Sequence, residues 1–351
     1  MSRRLCIPLP EASGAAIVGG KAASLGELIR AGLPVPPGFA MTVDAFQAAL
    51  AGIDPGGHRR AAIEALDASD IAAITTTTAT LRDAIAATAV PGDVTQAVAA
   101  AYAALPGLDV AVRSSATMED SAAASFAGLQ DTYLGVHGLA GLLDAVRRCW
   151  ASLYNDESVA YRGRTGLPGT APSMAVVVQV MLSPRAAGVM FTRSPVSGDR
   201  SVVAIEGAWG LGSALVAGAV SPDSFTVSKI TGEITARRIS RKAIMESPGP
   251  RGAGPTTTDT PLPLRDAPCL SDDEIRALAG TARRVEEHYG VAQDIEWALL
   301  DGDTPPESRL FLLQSRPETA WAARDAATTV PLATPRSRPV DHILELFGKP
   351  S

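Results

Sequence analysis

The 351-residue chain carries 31 Lys and Arg against 37 Asp and Glu, for a formal net charge of −6, and 46% of it is hydrophobic. That composition supports a sizeable core and two or three globular units, while the acidic balance with scattered arginines excludes a nucleic-acid surface. No window approaches the roughly 18 apolar residues of a membrane helix, MSRRLCIPLP is too polar for a leader, and Cys6, Cys149 and Cys269 show no metal or disulfide spacing. The expectation is a reduced, cytoplasmic protein.

In chain order, GGKAASLGELIRAGLPVPPGF predicts a helix. Leu25, Leu28 and Ile29 recur at helical spacing, Gly32 suits a C-terminal cap, and Pro34, Pro36 and Pro37 prevent continuation. An alanine-rich helical region runs from about Ala61 to Leu105, broken at Pro91–Gly92. A strand at Val110–Val112 and a helix over Leu139–Tyr154 follow. MAVVVQVML, Met174 to Leu182, reads as a buried strand, and AAGVMFTRSPVSGD and SVVAIEGAWGLG as further strands. Residues 246–268, rich in Pro, Gly and Thr, read as a linker or long loop. A capped helix begins near Ser271, where Asp272, Asp273 and Glu274 favour its N-terminus. Strands at Asp294–Leu300 and Leu310–Pro317 close the folded part. Beyond Thr319 the composition is that of an extended tail, with HILELF its one apolar patch.

The last two strands carry the clearest geometry. Alternation puts Asp294, Glu296 and Ala298 on one face of the first, and Gln314 and Arg316 on one face of the second, with Phe311, Leu313 and Ser315 opposite. If DGDTPPESR closes a hairpin, one register sets Glu296 against Gln314 and Asp294 against Arg316. A carboxylate, an amide oxygen and a guanidinium then share a surface, which suits Mg²⁺ with one or two protein ligands. An amphipathic hairpin with a surface ion pair would read the same way.

Other candidates are weaker singly. Gly19-Gly20-Lys21 is no P-loop, because alanines stand at positions 15 and 22; Lys21 is a solvated helix start or a phosphate ligand. Arg113, alternating with buried Val112, could meet phosphate or pair with Glu119 or Asp120. The small residues of Ser125-Phe126-Ala127-Gly128 could bring backbone N–H groups close to phosphate. Gln179 in an apolar strand needs a partner, by packing or by reading a base edge. Glu206 precedes a glycine turn and could stabilise the turn or hold a ribose. His58, His137, His288 and His342 are not set up as nucleophiles, so solvated or capping roles are expected.

Taken in order, GGKAASLGEL…PVPPGF, VAVRSSATMED…SFAGLQDTYLGV, VVVQVML…GVMFTRSP, EGAWGLGSALVAGAVSPD and QDIEWAL…LFLLQSRPET resemble the N-terminal nucleotide-binding domain of phosphoenolpyruvate synthase, pyruvate phosphate dikinase and rifampin phosphotransferase. The likeness covers about residues 14 to 319. It implies an α+β, ATP-grasp fold with two lobes clamping ATP, at residues 1–182 and 183–319, followed by the tail at 320–351. Carried over, Lys21 and Arg113 would contact phosphates, Gly128 and Thr132 would belong to the covering loop, and Gln179 and Val180 would lie at the adenine. Glu206 would lie near the ribose, Glu296 and Gln314 would ligate Mg²⁺ (or Mn²⁺), and Arg316 would meet the phosphates.

The family's swivelling domain with its phosphohistidine loop has no counterpart in these residues, and the segments at 246–268 and 300–310 are longer than usual, though outside the site. The resemblance therefore implies the ATP-binding subunit of a split dikinase, like that of phenylphosphate synthase. It would phosphorylate a histidine on a separate swivel protein, which passes the group to a small-molecule acceptor. The alternatives are the ATP module of an antibiotic phosphotransferase and a non-catalytic ATP-binding regulator.

Overall fold

The computed structural model describes residues 3–117, 120–121, 124–125, 131–165, 172–319 and 321. Contacts divide the chain into a body, Met1–Glu318, and a second unit, Thr319–Ser351, whose HILELF patch lies outside the described residues. Among the described residues, no helix is long and apolar enough to cross a membrane.

The body is α+β. Strand β1 (Cys6–Pro8) leads to helix α1 (Ala15–Arg30), β2 (Gly38–Met41) and α2 (Val43–Ile53). The alanine-rich region becomes α3 (His58–Glu64), α4 (Ile71–Ala87) and α5 (Gly92–Ala103), the last starting at the predicted Pro91–Gly92 break. Then come β3 (Asp109–Ala116), the short strands β4 (Asp120–Ser121) and β5 (Ala124–Ser125), β6 (Thr132–His137), α6 (Gly138–Ser152), α7 (Asp156–Thr165) and β7 (Met174–Val180). Four of these strands join β3 in an antiparallel sheet of order β1-β2-β7-β3-β6. Its most central strand, β7, is the predicted β-branched run, buried along its length because neighbours cover both edges and both faces. Helices α2 and α6 pack Phe46, Leu142, Val146 and Trp150 onto it, and α4 adds Ile74 from behind α6. Each such aliphatic side chain taken from water contributes about 1.5–3 kcal/mol.

After Val180 the chain crosses to a second sheet. It is built from β8 (Ala186–Phe191), β9 (Val202–Trp209), β10 (Asp223–Ser228), β11 (Ile234–Arg238), β14 (Gln293–Leu299) and β15 (Leu310–Pro317). The order is β11-β10-β9-β8-β14-β15, again antiparallel throughout. The four-residue helix α8 (Ser213–Val216) follows β9, and α10 (Asp272–Tyr289) covers the sheet with Ile275, Leu278 and Val285 against Ile205, Phe225 and Trp297. Its N-terminus is the predicted one: Ser271 and Glu274 close a reciprocal capping box.

The segment at 246–268 departs from expectation. Most of it is ordered as an antiparallel hairpin of β12 (Ile244–Pro248) and β13 (Pro255–Asp259), followed by the one-turn helix α9 (Leu262–Arg265). With β13 exposed along its whole length, no alternation of hydrophobicity marks it as a strand. Helix α11 (Pro306–Arg309) completes the β14–β15 connection.

Candidate functional site

Arg113 leaves β3 on the face opposite the buried Val112 and points at the second sheet. Its guanidinium, 8% exposed, donates from Nη2 to Glu296 Oε2 at 2.7 Å and to Gln314 Oε1 at 2.9 Å, and from Nη1 to the Leu313 carbonyl at 2.6 Å. Glu296 is thus a carboxylate it meets, while the side chains of Glu119 and Asp120 lie outside the described residues. Glu296 faces Gln314, and Asp294 faces Arg316, in the register read from sequence. Arg316 donates from Nε and Nη2 to Asp294 Oδ2 at 2.9 and 2.7 Å.

Alternation fails one residue further on. The register shifts between Glu296 and Trp297, so Leu313 is an extra residue in β15. This bulge turns Leu310 and Leu312 into the core beside Trp297, while Leu313 stands over the site with Arg113 on its carbonyl. The expectation that Phe311 and Leu313 lie opposite Gln314 and Arg316 is corrected: both are half-buried, and Leu310 and Leu312 take the opposite face.

Lys21 is not a solvated helix start. It is 8% exposed, and its Nζ donates to the carbonyl of Ser114, the neighbour of Arg113, at 3.0 Å. Gly19 makes this approach feasible. It interrupts α1 with φ +76, and a Cβ there would fall 2.0 Å from the Ser115 carbonyl oxygen. Three residues beyond Lys21, Ser24 donates to the Ser315 carbonyl at 2.8 Å, so α1 touches β3 and β15 together.

A cavity of about 510 Å³ lies between the sheets, lined on one side by Ala111, Arg113, Thr132 and Leu134, and on the other by Ala187, Glu296 and Leu313. Its volume falls in the range of small-molecule sites. The crossing segment, Gln179 to Leu182, forms its inner wall and the turn Leu211–Ser213 its roof. Gln179, 2% exposed, donates from Nε2 to the Pro36 carbonyl at 3.0 Å. The Val180 amide already donates to the Pro37 carbonyl, so Val180 lines the cavity with no N–H to offer it. Glu206 does not line the cavity. It shares a cross-strand row with Val189, Glu296 and Gln314, two strands away from Glu296 on the same sheet face. Gly128 lies outside the described residues.

Against that geometry, the sequence model of the family described as "Pyruvate phosphate dikinase, AMP/ATP-binding domain" matches residues 15–334. The chain belongs to this family. It is similar to a probable phosphoenolpyruvate synthase of Methanothermobacter thermautotrophicus, 42% identical over 323 residues, which are 90% of this chain and 46% of the relative. A rifampicin phosphotransferase of Streptomyces sp is 43% identical over 327 residues, 91% of this chain and 36% of the relative. A phosphoenolpyruvate synthase of Aeropyrum pernix is 38% identical over 356 residues, 92% and 43% respectively. The chain spans less than half the length of each of these relatives.

Within this pyruvate phosphate dikinase-type domain, the electrostatics gather at one end of the cavity. Burial pushes the Asp294 carboxyl above the ordinary aspartate range although Arg316 opposes it, and Glu296 and Glu318 add to the rise. Among the described residues, no group of three His, Cys, Asp or Glu is placed to hold a metal ion. Two hard oxygens, Glu296 Oε2 and Gln314 Oε1, nevertheless converge on one positive centre, the Arg113 Nη2. That donor set fits Mg²⁺, which takes few protein ligands beside substrate phosphate. The described histidines stand elsewhere: His137 meets Asp109 at 2.9 Å, His288 meets Glu27 at 3.1 Å, and His58 begins α3. Burial pushes the Cys149 and Cys269 thiols up, which keeps both inert.

Sequence reasoning missed Leu313, Ser213 and Glu246. Leu313 needed knowledge of the bulge, and Ser213 and Glu246 meet only through the unforeseen hairpin.

Proposed function

We propose that the chain is an ATP-grasp domain with lobes at 1–182 and 183–319, and that it delivers the β-phosphoryl group of ATP to a histidine on a separate swivel protein. AMP and phosphate would leave, and the phosphohistidine would serve a small-molecule acceptor of phenol or pyruvate type. One observation carries this reading: Arg113 of one sheet converges with Glu296 and Gln314 of the other at the end of a single cavity. It draws further support from family membership, and from the absence of any described histidine in the cavity lining.

Glu296 and Gln314 would hold Mg²⁺, which when bound supplies charge neutralisation for the phosphates. Arg113, Lys21 and Arg316 would meet the remaining phosphate charge, since such transfers depend on positioning and electrostatics more than on covalent chemistry. Thr132 would cover the phosphates together with Gly128. Gln179 and Val180 would border the adenine, and Glu206 the ribose side of the same sheet face.

To test it, the protein is combined with a cell extract and ATP radiolabelled at the β-phosphorus. Label in a partner protein, stable to base and lost in acid, is the expected result. Nucleotide binding with no label transfer and no AMP would favour a regulatory role instead. The 43% identity to a rifampicin phosphotransferase supports a second reading, an antibiotic-directed ATP module, which predicts AMP release only when rifampicin and the companion domains are supplied.

A further inference from the structure

The roof of the cavity is held by the segment that sequence reading placed outside the site. Leu211, Gly212, Ser213, Val216 and Ala217 line the cavity, and Val216, 66% exposed, marks its open edge. Glu246 at the base of the β12–β13 hairpin secures this roof. Its backbone carbonyl accepts the Leu211 N–H at 2.8 Å, and its carboxylate accepts the Ser213 hydroxyl at 2.5 Å and the Thr257 hydroxyl at 3.3 Å. Gly210 makes the approach possible, with φ +78 and no room for a side chain: a Cβ would fall 1.9 Å from the Glu246 carbonyl oxygen.

The other end of the hairpin reaches the first sheet. A Cβ on Gly135 of β6 would stand 3.4 Å from the Gly254 Cα, and one on Gly252 would stand 3.8 Å from the His137 Cβ. Thr132 and Leu134 of the same strand line the cavity wall that faces the roof. The two ends are held unequally. The base has hydrogen bonds from backbone and side chain, whereas among the described residues no hydrogen bond joins the tip to β6. The tip thus rests on β6 by van der Waals contact, whereas the base is tied to the roof by backbone and side-chain hydrogen bonds.

We propose that the β12–β13 hairpin is a clasp across the mouth of the cleft, fixed to the roof by Glu246 and detachable from β6 at Gly254, and that it gates nucleotide exchange. This rests on the reading of the cavity as an ATP site. Glu246 acts as a positioning residue through Ser213 and Leu211. The clasp restrains entry and exit together, so its removal changes rates more than affinity.

The test replaces Gly249–Gly254 by a two-residue Asn-Gly turn between Pro248 and Pro255, which preserves the β12–β13 register and Glu246 while removing both residues that approach β6. Stopped-flow binding of a fluorescent ATP analogue with Mg²⁺ then reads both rate constants. Association and dissociation are expected to quicken about tenfold while Kd changes less than about threefold, because a gate raises the barrier to entry and exit alike and leaves their ratio unchanged. Glu246→Ala should speed dissociation, and Glu246→Gln, which keeps an oxygen for Ser213, should restore most of it. Unchanged rates in a shortened variant that melts like the parent overturn the clasp alone. If the unaltered protein fails to bind the analogue, the ATP reading falls and takes the clasp with it.

Discussion

Arg113→Ala separates two roles that the geometry assigns to one side chain. It removes three hydrogen bonds from a charged donor, one to the Glu296 carboxylate and two to the neutral acceptors Gln314 Oε1 and Leu313 O. At roughly 1.5–3 kcal/mol for each bond involving a charged group, the gross loss is about 4.5–9 kcal/mol. Glu296 keeps 30% of its side-chain surface, so water recovers much of that loss, and about 3 kcal/mol is expected. The body spans Met1–Glu318. At about 2 cal/mol/K of unfolding entropy per residue, the loss lowers Tm by about 4–5 °C. Saturating ATP with Mg²⁺ at about 100 times Kd should raise the parent's Tm by a similar amount, from about 2.7 kcal/mol of linkage. The variant should show the lower Tm and no rise with ATP. Arg113→Lys keeps the charge but loses the planar fork, and should fall between the two. The assay is differential scanning fluorimetry with and without Mg²⁺-ATP. A full ATP-induced rise in Arg113→Ala would show that the guanidinium joins the sheets and does not bind phosphate.

Three further outcomes are expected. Glu296→Gln keeps an acceptor for Arg113 but loses the charge, so Mg²⁺-dependent ATP affinity should fall at least about tenfold, or ~1.4 kcal/mol, by calorimetry with and without chelator. Lys242 and Asp223 form a 2.6 Å ion pair with neither side chain exposed, and Lys242→Met leaves that carboxylate buried without its counter-charge. A loss of about 3–5 kcal/mol should follow in urea titration. Glu274 is held below the ordinary glutamate value of 4.5: burial raises it, but the Ser271 amide and Arg185 lower it more. A depressed folded-state pKa means that its contribution is complete above that value and fades as pH falls below it. Glu274→Gln should therefore cost about 1–2 kcal/mol at neutral pH, with the deficit from parent shrinking in acid melts.

The legible parts of this chain are those in which one local pattern fixes one geometry. The β14–β15 register was readable because two alternating strands joined by a hairpin admit few pairings that match polar faces. The Ser271 cap was readable from four consecutive residues. Alternation gave the wrong face for Phe311 and Leu313 because the bulge has no composition of its own, and a single extra residue exchanges the two faces. Burial of Lys21 depends on a carbonyl 93 positions away, beyond the reach of any local pattern. The β12–β13 hairpin lacked the alternation that identifies strands because little of it packs on anything. Its role follows from Glu246, an unremarkable glutamate in sequence. The Arg113–Glu296 end of the cavity was thus legible, and its roof and mouth were not.

The arrangement of polar groups gives each charge at this end of the cleft a partner within the protein. A buried guanidinium with no acceptor would cost several kcal/mol, and a buried carboxylate with no donor would cost as much. Here each answers the other: Arg113 is satisfied by Glu296, Gln314 and the bulged carbonyl of Leu313, and α1 adds its Ser24 contact to the same strand. The two sheets are therefore joined at the polar end by bonds that phosphate oxygens and a cation can replace in kind, because a guanidinium accepts phosphate for carboxylate and two oxygens accept a metal for a guanidinium. At the roof the ties are of another kind. Glu246 fastens backbone to backbone, and its bonds have no counterpart in a nucleotide. Ligand exchange should thus rearrange side chains at one end and move a chain segment at the other, which is why Arg113 variants should report on affinity and hairpin variants on rate.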